Sequence, residues 1–294
     1  MKNGQRLLMV ALVAAVLALL AAGGKGALAA QGTIIYVDAD ATGANNGSAW
    51  VNAYTDLQDA LDEAEPLDQI WVAAGTYKPS RGFKQEDPSG AAFQMINGVG
   101  IYGGFDPGAG VTKFEERDWV AHETILSGDI GIEGDPADNV YHVFYHPEGL
   151  SLDGSAILDG FTIRAGNADE PDYPDGVCGG GMYNDHASPT LNNLTFLDNS
   201  AGYGGGMWVS APYPEEATVA LTNVTFVGNS AVDGGAVYID AAQATPGDWE
   251  LTFTNCIFRG NDADRGGGVL ITWGEPDTDI PPFRLTNCTF WGNQ

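Results

Sequence analysis

Four side chains recur at one register of a repeat and could do chemistry together: Tyr183, Trp208, Tyr238 and Leu270. If each stands on a strand of one stacked sheet, neighbours lie about 4.8 Å apart, and the four form an exposed stripe. Aromatic faces in a row on a solvent-facing sheet suit a sugar ring or a partner surface. Ser210 and Asp240 rim the stripe with a hydroxyl and a carboxylate. The competing reading is a ladder that only stabilises neighbouring strands, at about 0.2–1 kcal/mol per pair.

Other groups bear weighing. Asp38-Ala39-Asp40-Ala41-Thr42-Gly43, followed by Asn46, places oxygen ligands where a calcium loop needs them and a glycine at its turn, but lacks the closing Glu. Asp38, Asp40 and Asn46 are therefore candidate Ca2+ ligands, against the simpler reading of a tight turn. The pairs Asp129/Glu133, Asp169/Asp172 and Asp262/Asp264 fall in loops, and 39 acidic residues bring such pairs together by chance. No cofactor is required by any of these patterns; Ca2+ is the one ion they leave open.

The elements that must position these groups are set by an internal repeat of about 25–32 residues, which points to a solenoid. Residues 204–229 read GGGMWVSAPYPEEATVALTNVTFVGN, and residues 179–199, 234–261 and 266–293 repeat the pattern. Met182, Met207, Val237 and Val269 share a strand face with Asn184, Val209, Ile239 and Ile271, which should point inward. Leu221 and Val224 both belong inside yet differ by an odd number, so the chain must bend at Asn223. Asn tolerates the left-handed conformation such a bend needs and can bond to its equivalent one coil away. Asn193, Asn255 and Asn287 hold the same place. Three strands per coil, bent at a stacked Asn, predict a parallel β-helix.

Upstream, residues 33–38 and 69–77 read as strands around one helix. Thr55-Asp56-Leu57-Gln58 has the form of a capping box, Leu57, Ala60, Leu61 and Ala64 make the apolar stripe, and Pro66 closes the helix. It should plug the N-terminal end of the solenoid, where bare backbone and core would otherwise be exposed. Residues 93–96, 99–105, 124–128, 140–145 and 157–166 are strand-like rungs of less regular spacing. Cys256 and Cys288 share the inward register of Leu194 and Val224, which fits a disulfide or two buried thiols alike.

Lys2 and Arg6 precede an apolar run over residues 7–22, and Ala27-Leu28-Ala29 offers a cleavage site, so residues 1–29 read as an export signal. No membrane span is expected in the mature chain. Domain organisation follows: an N-terminal cap and first rung over 30–90, irregular rungs over 91–178, and regular repeats over 179–294 that are expected to continue beyond the last residue. The formal net charge of −27 repels phosphate backbones and excludes nucleic acid as a partner.

GGGMWV…LTNVTFVGNSA resembles the repeats of right-handed parallel β-helix, pectin-lyase-like proteins. The GG[AG]-apolar and FxxN pair is similar to repeats of polymorphic outer-membrane proteins, and YVDADATGANNGSAW…DLQDAL…IWVAAGTYKP resembles the opening of large exported bacterial β-helix proteins. The resemblance implies an all-β, right-handed parallel β-helix solenoid with an N-terminal capping helix. It leaves activity open, because one fold carries lyases, hydrolases and adhesins. The Asn-Thr-Asp, Asp-Asp and Gly-His-Gly elements of the pectin hydrolases do not occur. Tyr183-Asn184-Asp185-His186 is similar to a lyase Trp-x-Asp-His element, but it sits where the other copies carry plain turn residues. The sequence thus leans away from an enzyme, towards a secreted or cell-surface module that binds polysaccharide or a cell-surface glycan. A polysaccharide lyase or glycoside hydrolase, and a structural stalk, are the alternatives.

Overall fold

The computed structural model describes residues 32–82, 87–170, 176–210, 217–241, 249–273 and 283–294. Residues 1–31, with the expected export signal, lie outside the described residues. The described strands form four sheets, of eight, seven, five and four members, and adjacent strands in every sheet run parallel. One coil visits all four: Met182–Asp185, Thr190–Asn192, Thr195–Leu197 and Ser200–Tyr203. The chain is an all-parallel β-solenoid, as the repeat predicts.

The coil has four strands rather than the expected three. The extra strand is the short Ser-Ala segment after each FxxN ending, exemplified by Ser230–Asp233 and Asp262–Arg265. Its residues, as in Ser230-Ala231-Val232-Asp233, carry no buried apolar alternation, so only its pairing across coils reveals it.

The bends are where the sequence puts them. Asn193, Asn223, Asn255 and Asn287 adopt φ of 51°, 57°, 56° and 53°, the left-handed region that Asn accepts more readily than most residues. Their amides bond in series: Asn287 donates to Asn255 (2.8 Å), Asn255 to Asn223 (3.2 Å), and Asn223 to Asn193 (3.1 Å). One coil earlier Gly160 takes the corner, with φ of 87°, and splits the expected 157–166 strand into Ile157–Asp159 and Thr162–Arg164.

A second amide ladder lies inside. Asn199, Asn229 and Asn261 are buried, and the Oδ1 of each higher member accepts from the backbone N–H and Nδ2 of the one below. Each Nδ2 also donates to a carbonyl of the coil below, as Asn229 does to Phe196 (3.0 Å). Glycine follows where side chains cannot fit: a Cβ on Gly205 would lie 2.3 Å from the Ser230 carbonyl oxygen.

Between the bends, the apolar columns fill the interior. Phe196, Phe226, Phe258 and Phe290 stack with centroids 4.8, 5.1 and 4.5 Å apart and planes within 9°. Each such pair adds about 0.5–1.5 kcal/mol to the burial of its rings. Cys256 and Cys288 are both free thiols in this column region, and burial pushes the Cys256 thiol up to about 12.

At the N-terminal end, helix α1 (Leu57–Glu63) sets Leu57, Ala60 and Leu61 into the interior cluster. Its cap is Asp56, whose carboxylate accepts from the Gln58 N–H, rather than Thr55, whose N–H donates to Asn45. Gln58 is released from any capping box and instead ties down the following segment. Its Oε1 accepts from Ser80 and Arg81 N–H, and its Nε2 donates to Arg81 and Ala92 carbonyls. The expected 93–96 strand reduces to one bridge, Phe93 with Phe144. Beyond it the Met95 N–H bonds to the His146 ring at 3.2 Å rather than to a strand carbonyl.

Candidate functional site

The aromatic row has the expected register: Tyr183 pairs with Trp208, Trp208 with Tyr238, and Tyr238 with Leu270. It does not have the expected exposure. Tyr183 is 3 % and Trp208 9 % exposed, and both belong to a small cluster with Ala92 and Tyr145, against which Cys178 and Tyr238 pack. Tyr183 and Trp208 stack at 4.7 Å and 7°, Tyr145 and Tyr183 at 5.2 Å. The row is thus a second core outside the sheet: Tyr145, the register partner of Tyr183 one coil earlier, extends it, and Ala92 joins it from a segment that no repeat arithmetic places there. Tyr238 and Leu270 remain half-buried; Tyr238 accepts from Thr272 Oγ1 at 3.1 Å, and burial raises its phenol pKa.

At the rim, the Asp185 carboxylate accepts from Ser210 Oγ (2.8 Å) and faces His186 Nδ1 (2.7 Å). This is not a hydrolytic triad. There the carboxylate and the hydroxyl engage opposite ring nitrogens, whereas here Ser210 also lies against Nδ1, at 3.3 Å, and spends its proton on Asp185. His142 and His146 are buried. His146 must carry its proton on Nδ1, facing Asn184 Oδ1 at 2.6 Å, because Nε2 accepts from Met95. Burial holds its pKa down at about 4, so it stays neutral.

In the 38–46 loop, Asp38 Oδ1 accepts from the Asp40 N–H, and Asn46 Oδ1 accepts from the Ser48 N–H and hydroxyl. Both oxygens serve local turns. Among the described residues no group of three or more His, Cys, Asp or Glu side chains is placed to hold a metal.

A different site lies on the seven-stranded sheet, where a loop outside the repeat folds back over three coils. Phe114–Glu116 is one turn of 3-10 helix, and the side chain of the next residue, Arg117, is 6 % exposed. Its guanidinium bonds Asp159 at 2.8 Å and lies 4.6 Å from the Phe114 ring centroid and 4.9 Å from that of Trp119. This pinning leaves Trp119 at 37 % and Val120 at 83 % exposure. They wall a groove of about 460 Å3 whose floor carries Thr162, Thr195, Thr225 and the bend residues Asn193 and Asn223. The three threonines are register partners on successive coils. Thr162 Oγ1 donates to Glu123 at 2.7 Å, and Glu123 is the one charged side chain among the lining residues. The sequence signal was half present: Thr195 and Thr225 hold one repeat position, but nothing in the repeat announces Trp119 or Glu123.

Residues 223–240 match the family model of the Chlamydia polymorphic membrane protein repeat. The repeat is similar to theirs. The matched segment runs from the bend Asn223 through the buried Phe226 and Asn229 to the glycine pair and the Val237 strand, so it contains one member of each ladder and the close-packed corner. No curated protein matches the chain. Among solved structures, the crystal structure of pectate lyase Pel9A aligns over 88 % of this chain and 78 % of that one, at 12 % identity and a TM-score of 0.37. That level of likeness says nothing of activity.

Proposed function

We propose that this chain is an exported β-solenoid that binds carbohydrate at a cell surface or in the medium around it, without cutting it. The observation that carries the reading is Trp119, an exposed indole fixed from behind by Arg117 and standing over rows of hydroxyl and amide groups. Rigid aromatic platforms gain binding energy because little side-chain freedom is lost on contact. The surface location is supported by the repeat's similarity to a family of polymorphic membrane proteins, and by the export signal read in residues 1–29. Among the described residues no helix is long and apolar enough to cross a membrane. Retention of the purified chain on a panel of immobilised polysaccharides tests the reading. Absence of retention on every member, with the fold intact by circular dichroism, would sink it.

The stalk is a second reading, favoured by the two amide ladders, which tie successive coils along the whole regular array. Such a rod needs no ligand, so the same panel separates the two.

A further inference from the structure

Resting on the carbohydrate reading, we propose that the groove under Trp119 takes a neutral polysaccharide chain laid along the solenoid axis, across the strands. Three observations carry this. The first is the charge of the lining. Glu123 is its one charged side chain, and the nearby Arg117 is engaged with Asp159 at 2.8 Å behind the indole. A polyuronate would bring carboxylates against Glu123 with no cation in the lining to receive them, on a chain of net charge −27. Uncharged hydroxyls meet no such cost, and the exposed Glu123 carboxylate can accept from them.

The second observation is the direction in which groups repeat. Thr162, Thr195 and Thr225 lie on three neighbouring strands in register, and Asn193 and Asn223 on two. Hydroxyl and amide groups therefore recur once per coil, about every 4.8 Å; at the Thr162 end, where that hydroxyl is buried and donates to Glu123, the Glu123 carboxylate takes the place of the open group. A ligand that uses them in series must itself be a polymer of repeating hydroxyl groups, and it must run across the strands.

The third is the wall. Trp119 presents an indole at the edge of this row, with its loop held by the Arg117–Asp159 pair, and a sugar ring has an apolar C–H face that stacks on such a surface. The site therefore prefers an oligosaccharide to a single sugar: one ring on Trp119 and further rings over the Thr and Asn rows.

The experiment is affinity electrophoresis of the full chain in gels containing galactomannan, xylan or hydroxyethylcellulose as neutral probes, polygalacturonate as the acidic one and chitosan as the cationic one. It is repeated for Trp119→Ala and Glu123→Gln and at low and high salt. We expect retardation by at least one neutral probe, unchanged by salt. Trp119→Ala should weaken it about tenfold or more, the equivalent of 1.4 kcal/mol, with the fold retained by circular dichroism. Retardation by polygalacturonate alone, or by chitosan alone with loss at high salt, overturns the neutral assignment. Neutral retardation that survives Trp119→Ala overturns the groove while leaving carbohydrate binding standing. No retardation by any probe removes both.

Discussion

The side-chain amide of Asn193 donates to the Asp159 carboxylate across 2.8 Å, and that bond sets the direction of the outer ladder. A carboxylate can only accept, so Asn193 must present Nδ2 to it and Oδ1 to Asn223. Each later amide inherits the same orientation. Asp159 is in turn held by Arg117, so the groove wall and the ladder share one anchor.

Asp159→Asn therefore strikes two things at once. It leaves Arg117, whose side chain is 6 % exposed, as a buried cation without its counter-charge, a loss of about 3–5 kcal/mol. We expect a clear fall in the urea midpoint, together with a change in Trp119 fluorescence as the loop loosens. An unchanged midpoint would mean the pair holds nothing.

The two ladders should differ sharply in worth. Asn229→Ala strips a buried carbonyl and a buried N–H of their partners, at about 1–3 kcal/mol for each group. Asn223→Gly keeps the left-handed corner and loses two bonds, both exposed to water, so its cost should stay near 1 kcal/mol, below that of Asn229→Ala. Solenoids need not unfold in one step, so midpoints rather than extrapolated energies are the quantity to compare. Equal effects would refute the inner ladder's importance.

Acid should destabilise the protein through His146. Its pKa is about 4 in the fold against 6.5 when free, so between these values the unfolded chain holds a proton that the native one refuses. Stability from this group is intact above pH 6.5 and falls as pH drops towards 4, by about 3 kcal/mol in all. Comparing wild type with His146→Gln across that window isolates the effect. The variant's stability should be less steep in pH; parallel curves would remove His146 as the cause.

Trp208→Ala should behave as a core truncation. The ring is 9 % exposed and stacks on Tyr183, so about 3–5 kcal/mol should be lost. Melting temperature reads this directly. Little loss of stability, with loss of glycan binding, would return the row to the role of a ligand surface.

Calcium removal is expected to do little, because the Asp38 and Asn46 oxygens are already engaged within their own turns. Melting the protein in EDTA and again in excess Ca2+ checks this. A rise in the calcium arm would establish a site in the loop.

What the sequence shows plainly here are the properties that recur. Phe196, Phe226 and Phe258 announce their column, and the parity clash between Leu221 and Val224 announces the corner at Asn223, because stacking forces each coil to solve the same steric problem. Exposure is not periodic in that way. Tyr183 is buried in a cluster with Ala92, which arrives from chain far outside its own strand. The groove is illegible for the same reason: Arg117 meets Asp159 across 42 positions, and such a contact leaves no local pattern of hydropathy or spacing. The fourth strand escaped because Ser200–Tyr203 is recognised by its backbone partners and not by its side chains.

Asn229 meets Asn261 through the same bonds by which Asn199 meets Asn229. Each coil is thus a mould for the next, and a duplicated coil would find its seat already cut on both sides. Lengthening the array asks for a copied segment and no new interface, so the regular coils are free to multiply or shrink between relatives. The Trp119 loop spans particular coils and has no such freedom. Variation in coil number should accumulate beyond it, and the groove should keep its dimensions whatever the length of the rod.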